Sequence, residues 1–260
     1  MEKTRAGIQS VEVGFALLEV LAQATGPQML RDLAAAASMS AAKAHRYLVS
    51  FQRLGLVVQD PHNTRYDLGP AALKLGLASL SRLDAVRMAR ERVPALLEQI
   101  GHHTLALAVW GNHGPTIVHW EESRLAVTVN LRLGDVMPLL SSATGRCFSA
   151  YVKAKAIDGM LNQELEQARK LHRSDMPQSQ ADVQAIVTEV RQRRLARVVE
   201  TLLPGIVGFC APVLDADGHI ALGILALGSV ATFDLAWEGS VATALKSAAA
   251  QLSSDLGFSE

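Results

Sequence analysis

The 260-residue sequence predicts an α+β fold: an N-terminal winged helix-turn-helix, a linker helix, and a C-terminal domain built on an antiparallel sheet. Three observations lead there. In the first 70 residues, three short helical patterns precede two strand-like runs around a turn. A long helical pattern then covers residues 71–100. After Gly101, strand-like runs bracket a helical block and finish in a hairpin. At roughly 100–200 residues per domain the length allows one large domain or two modest ones. With 49% apolar and 19% charged residues, the chain has material for a packed core.

Element by element, Ser10 is expected to cap a first helix in which Val11, Phe15, Leu18 and Leu21 fall on one face and which ends near Thr25-Gly26-Pro27. A second, alanine-rich helix covers residues 29–37, with Arg31 and Asp32 at its start. Ser40 caps a third helix running to Leu54, and Gly55 stops it. Residues 56–59 and 64–68 read as the two strands of a wing, joined by Asp60-Pro61-His62-Asn63.

The helical stretch from Ala71 is expected to break near Ser81 and again at Pro94. Leu73, Leu77 and Leu80 follow helical spacing and suit packing on a partner helix, or within one domain. Strands are expected at 104–110, 116–121 and 126–131, the first two joined by a turn over residues 111–115. A helical block spans 141–194 with a break around 173–177. Strands return at 195–200, 208–214 and 220–227, the last two joined by Asp215-Ala216-Asp217-Gly218. A final helix covers 235–256. The expected boundaries are residues 1–70 for the winged unit, 71–81 for the linker helix and 82–260 for the second domain.

The formal net charge is zero, but it is unevenly spread. Residues 1–92 carry twelve bases against eight acids, and the remainder thirteen against seventeen. A basic module joined to an acidic one suits a nucleic-acid reader with a separate sensing domain. Cys147 and Cys210 have no paired spacing, which argues against a disulfide framework or a cysteine zinc cluster. Glu12 and Glu19 interrupt the first apolar stretch, against a secretory leader. The longest uncharged apolar runs, 202–214 and 220–233, fall short of the roughly 20 residues a membrane span needs. A cytoplasmic protein without membrane attachment is expected.

On a helical wheel the third helix has two faces. Ala44, Tyr47, Leu48, Phe51 and Leu54 share one. Ala42, Lys43, His45, Arg46, Val49, Ser50 and Arg53 share the other. The second face suits the major groove: small residues at Ser40, Ala41 and Ala42 permit close approach, and donors follow within reach of base edges and phosphates. A solvated cationic face on an ordinary surface helix is the plain alternative. Arg31, Arg65 at the wing tip, and Lys3 and Arg5 in the leading arm are further candidate contacts to DNA.

Ser40-Ala41-Ala42-Lys43-Ala44-His45-Arg46-Tyr47-Leu48, Leu54-Gly55-Leu56-Val57 and Tyr66-Asp67-Leu68-Gly69 resemble the recognition helix and wing of the IclR-type transcriptional regulators. The resemblance continues at Gly134-Asp135-Val136-Met137-Pro138-Leu139, Ser142-Ala143-Thr144-Gly145-Arg146, Pro204-Gly205-Ile206 and Cys210-Ala211-Pro212-Val213. It implies a DNA-binding regulator controlled by a small molecule, with a GAF-like C-terminal domain. It also implies a homodimer or tetramer reading a pseudo-palindromic operator in double-stranded DNA. The effector positions it implies are Met137, Thr144, Gly145, Arg146, Val198, Glu200, Gly208, Cys210, Leu225 and Leu227. Backbone N–H groups at Thr144-Gly145-Arg146 suit a carboxylate. Val198, Gly208, Leu225 and Leu227 stand where family members that bind small polar acids carry polar side chains. A larger, partly apolar or aromatic effector is therefore expected, with an acid group as an option.

Cys147 or Cys210 would be an enzyme's nucleophile with His102, His103, His113, His119 or His219 as base, but no catalytic signature surrounds them. His102-His103 with His113 and His119 would be a metal site, but lacks ligand spacing. A winged helix serving only protein contacts would have no reason to keep Lys43, Arg46 and Arg53 on one face. No enzyme activity, cofactor or metal is expected.

Overall fold

The computed structural model describes residues 7–81, 84–101, 103–122 and 131–259. The chain divides into two compact units, residues 1–82 and 83–260.

The first unit holds helices α1 (Gln9–Gln23), α2 (Leu30–Ala36) and α3 (Ala41–Arg53), strands β1 (Val57–Gln59) and β2 (Tyr66–Leu68), and helix α4 (Pro70–Ser81). Its core is Leu17, Leu21, Leu33, Ala34, Ala44, Leu48, Val57 and Tyr66. Ile8 caps α1, so Ser10 lies inside the helix and caps nothing. The buried stripe is Gly14, Leu17 and Leu21, while Val11 and Phe15 are exposed. Gly14 decides this orientation: a Cβ there would lie 2.8 Å from Tyr47 Cδ1 and 3.1 Å from Phe51 Cζ. The missing side chain lets α3 approach closely, and the larger apolar residues turn outward.

α3 follows expectation at both ends. The Ser40 side chain accepts the Lys43 N–H at 3.3 Å, and Gly55 ends the helix with φ +69°. Leu54 is the C-cap and is exposed instead of packed with Ala44 and Leu48. β1 and β2 pair antiparallel with Val57 opposite Leu68 and Gln59 opposite Tyr66. They are shorter than expected, because Thr64, with φ +59°, donates its N–H to Asp60 O and belongs to the turn. At the base of the wing Gly69 N–H meets Leu56 O at 2.8 Å, and a Cβ on Gly69 would lie 2.3 Å from Gly55 O.

The second unit is a five-stranded antiparallel sheet between helical layers. Its strands are β3 (Thr104–Gly111), β4 (Gly114–Glu121), β5 (Ala196–Val199), β6 (Ile206–Leu214) and β7 (Ile220–Ser229), in the order β4-β3-β7-β6-β5. α5 (Asp84–Gln99) and α9 (Ser240–Asp255) pack together on one side. α6 (Ala143–Tyr151), α7 (Ala154–Lys170) and α8 (Gln180–Arg193) share a core with the other face. Register puts Ala106, Ala196, Val198, Gly208, Cys210, Leu225 and Leu227 on that second face.

Pro94 does not break α5: Val86, Ala89, Val93, Leu96 and Ile100 are buried at helical spacing, and that packing carries the helix through the proline. The helical block has an additional break at Val152, whose backbone is extended (ψ 144°). α9 starts at Ser240 instead of 235, because the Asp234 carboxylate accepts the Ala236 and Ser240 N–H groups and closes a turn first. Of the strand expected at 126–131, residues 126–130 lie outside the described residues, and Leu131 is in no strand. Among the described residues, no helix is long and apolar enough to cross a membrane.

Candidate nucleic-acid interface and effector cavity

On α3, the burial of Ala44 and Leu48 sends Ala41, Ala42, Lys43, His45, Arg46, Ser50 and Arg53 to the exposed side. Among the described residues, Lys43, His45, Arg46 and Arg53 have no carboxylate in salt-bridge range. The face therefore offers its charge uncompensated. Arg31 is exposed but meets Asp32 at 3.2 Å. Arg65 stands beside the turn that forms the wing tip, its O accepting the Asp60 N–H at 2.9 Å, and its Nη1 donates to Pro27 O at 3.1 Å. The tip is Pro61-His62-Asn63, gathered by Asp60, whose carboxylate accepts His62 N–H at 2.8 Å and Asn63 Nδ2 at 2.7 Å. Lys3 and Arg5 lie outside the described residues.

In the second unit, Met137, Thr144, Val198, Gly208, Leu225 and Leu227 line one small cavity of about 20 Å³. That is space for roughly one water. Leu131, Ser142, Ala143, Leu202, Leu203 and Ile206 complete its wall; the last three were missed from sequence, although the Pro204-Gly205 turn between them was the available signal. Thr144 is fully buried and its Oγ1 has no hydrogen-bond partner. An unpaired buried hydroxyl costs on the order of 1–3 kcal/mol, so it calls for an explanation.

The other expected positions do different work. Gly145 packs: a Cβ would lie 1.9 Å from Pro138 O and 2.4 Å from Leu139 Cα. Its N–H is already taken by the capping Ser142 Oγ at 2.8 Å, so it is not free to hold a carboxylate. Arg146 Nε donates to Leu140 O at 2.7 Å. Burial lowers the Arg146 guanidinium pKa below the ordinary arginine value, against the opposing pull of Glu189 and Asp175. Glu200 lies past the end of β5 with φ +58°, exposed, and its Oε1 accepts Gly205 N–H at 2.9 Å. Cys210 is on the correct sheet face but lies behind the cavity, beside Cys147. Burial, reinforced by Cys210, pushes the Cys147 thiol pKa well up, which is the reverse of an activated nucleophile.

A second, larger hollow lies on the outer side of Met137. It is a groove of about 410 Å³ between the 136–141 segment and α7, walled by Met137, Met160 and Met176. Glu164 lines it, and its two carboxylate oxygens accept the Leu139 N–H at 2.7 Å and the Leu140 N–H at 2.8 Å. Burial raises the Glu164 pKa, and the two amides oppose the rise. Among the described residues, His103, His113 and His119 form no metal-type group. The one cluster of that kind among the described residues is Asp215, Asp217 and His219 in the β6–β7 turn, where Asp215 Oδ1 already accepts the Asp217 and His219 N–H groups.

Residues 10–61 match the IclR helix-turn-helix domain, and residues 77–254 match the C-terminal domain of the bacterial transcriptional regulator IclR. The chain belongs to the IclR family. Among IclR-type relatives, the glycerol operon regulatory protein of Streptomyces griseus is 30% identical over 261 residues, covering 96% of this chain and 97% of that one. The protein of the same name from Streptomyces coelicolor is 30% identical over 213 residues, 80% of each chain. The crystal structure of Pseudomonas aeruginosa HmgR is 33% identical, with a TM-score of 0.60 over 96% of this chain and 99% of that one. The fold is also shared with an IclR homologue from Microbacterium hydrocarbonoxydans complexed with 4-hydroxybenzoate, at 14% identity and TM-score 0.76, covering 95% and 98%. As an IclR-family member, the chain is a DNA-binding transcriptional regulator that answers to a small-molecule effector, and not an enzyme.

Proposed function

We propose that this chain is a cytoplasmic regulator of a catabolic operon, reading a pseudo-palindromic operator as a homodimer or tetramer. The observation that carries the reading is the uncompensated cationic face of α3. Lys43 and Arg46 meet guanine edges or phosphates, with His45 beside them. Ser40 and Ala42 allow the close approach, and Arg31, Arg53 and Arg65 hold phosphates. Residues 1–70 are the reading unit, 71–81 the linker helix and 82–260 the sensing domain. Self-association is supported by apolar side chains exposed on α1 (Val11, Phe15) and α4 (Leu73, Leu75, Leu77). A second copy covering them would bury surface that a monomer exposes at a cost.

The effector seat is the cavity at the N-terminal end of α6. Its walls are apolar apart from Thr144 and Ser142, and the Thr144 hydroxyl waits for a polar partner. That lining suits the chemistry of an apolar or aromatic acid, whose carboxyl reaches Thr144 and the positive end of the α6 dipole once part of the wall gives way. The 4-hydroxybenzoate complex of the Microbacterium homologue supports an aromatic acid, and the operon names of the two Streptomyces relatives support control of a catabolic operon. Effector binding biases one arrangement of the paired units and so changes the fit to two half-sites.

The test is electrophoretic retardation of the DNA flanking the coding region, across a salt series. Retardation that weakens with salt and with Arg46→Ala, while effector binding survives, supports the reading. Flanking DNA that is never retarded, even at low salt, overturns it.

A further inference from the structure

The effector cavity is too small for any organic acid. At about 20 Å³ it accepts a water molecule, whereas small-molecule sites run to roughly 300–1,000 Å³. An occupant must therefore displace part of the wall. The main chain beside Met137 cannot yield cheaply. Glu164 holds the Leu139 and Leu140 N–H groups from α7. From α6, Ser142 Oγ donates to Pro138 O at 2.6 Å and Arg146 Nε donates to Leu140 O at 2.7 Å. Gly145 lies against Pro138 and Leu139 with no space for a methyl group.

Next to these anchored residues stands Met137, which lines both the closed cavity and the 410 Å³ groove outside. A methionine has three rotatable bonds and no polar hydrogen-bond requirement, so it can swing where its neighbours cannot.

Resting on the effector reading above, we propose that Met137 is a movable partition, and that the effector site is cavity and groove together. The geometry assigns it an elongated aromatic acid. The acid end meets Thr144, the first ring takes the place of the Met137 side chain, and a neutral distal end lies between Met160 and Met176. Neutrality of the distal end follows from the groove's own charges, which are already satisfied. Glu164 is engaged by two amides, and Arg173 donates to both oxygens of Asp175, at 2.8 and 2.6 Å, and to Thr201 O. Thioether sulfur on both sides favours an aromatic ring.

The experiment is calorimetric titration of the full chain with benzoate and with biphenyl-4-carboxylate, which differ by one ring. The two-ring acid is expected to bind at least tenfold more tightly. Gln167→Trp, a change at an exposed residue on the groove wall, should bring that ratio close to one. Met137→Ala should raise it. A ratio near one in the unsubstituted protein, or a ratio unchanged by Gln167→Trp, overturns the two-chamber site. Thr144→Val separates this from the underlying reading. Loss of affinity for both acids supports the Thr144 seat, and undiminished affinity for both overturns that seat whatever the ratio. Binding of neither acid overturns both.

Discussion

In the first unit Lys43, Arg46 and Arg53 project from a helix whose opposite side, Ala44 and Leu48, is buried in an eight-residue core. In the second unit Met137 and Thr144 are themselves part of the interior, with relative exposures of 2% and 0%. The difference sets what each unit can tolerate. A cationic side chain on α3 contributes little to folding, so it can be exchanged for altered DNA reading at small cost. Residues around the cavity hold the fold and meet the effector at once, so a change there alters both.

The sharpest way to test that contrast is Gly145→Ala. A methyl group there meets the backbone of Pro138 and Leu139, which the bonds from Ser142, Arg146 and Glu164 hold in place. Overpacking of this kind costs about 3 kcal/mol or more. Urea unfolding should show a large loss of stability in the second unit, and an unchanged midpoint would break the comparison. Next in size is Arg46→Ala on α3, expected to weaken operator binding by about 1–3 kcal/mol. Its thermal midpoint should hold, because surface changes usually stay within about 0.5 kcal/mol. A fall in both affinity and midpoint would show that α3 is not a separable surface.

Thr144→Val should act in the opposite sense to Gly145→Ala. Replacing the unpaired hydroxyl by a methyl group of similar size is expected to stabilise the free protein by about 1 kcal/mol while weakening effector binding. A destabilised variant would mean the hydroxyl is satisfied after all. The smallest effect is a pH dependence at the start of α8. There Asp182 accepts the Gln178 and Ser179 N–H groups, forming a capping box with Ser179. The Gln178 amide, then Ser179, hold the Asp182 carboxyl below its ordinary pKa of 3.8. A carboxyl lowered by folding adds stability above its unfolded pKa and loses it as pH falls through the folded value. Asp182→Asn should therefore reduce the stability difference between pH 7 and about pH 3.

Much of the first unit was legible because its signals are local. Ser40, the 3.6-residue apolar period and Gly55 each act within a turn or two of α3, and they set its ends. The burial of α1 was not legible: hydrophobicity favoured Val11 and Phe15, whereas the contact surface is made by what Gly14 lacks. Pro94 misled for a related reason, since a rule about local hydrogen bonding was overridden by Val93, Leu96 and Ile100 packing in the core. In the second unit, the resemblance to the family pointed to Val198, Gly208, Leu225 and Leu227, and the strand register puts all four on one face. Glu200 fell outside because the chain turns at φ +58° after β5 and its carboxylate closes that turn. The groove depends on Met137 meeting residues 160–176, a juxtaposition across sequence that no periodicity announces.

The base of the wing carries a last consequence. Gly55 and Gly69 touch backbone to backbone, and Leu56 O and Gly55 O accept the Gly69 and Ala71 N–H groups. Helix and hairpin are thereby brazed into a single bracket of set width. Evolution toward a new target sequence would then proceed by swapping teeth on a fixed jaw, and a bulkier residue at either glycine would spoil the bite for every sequence alike.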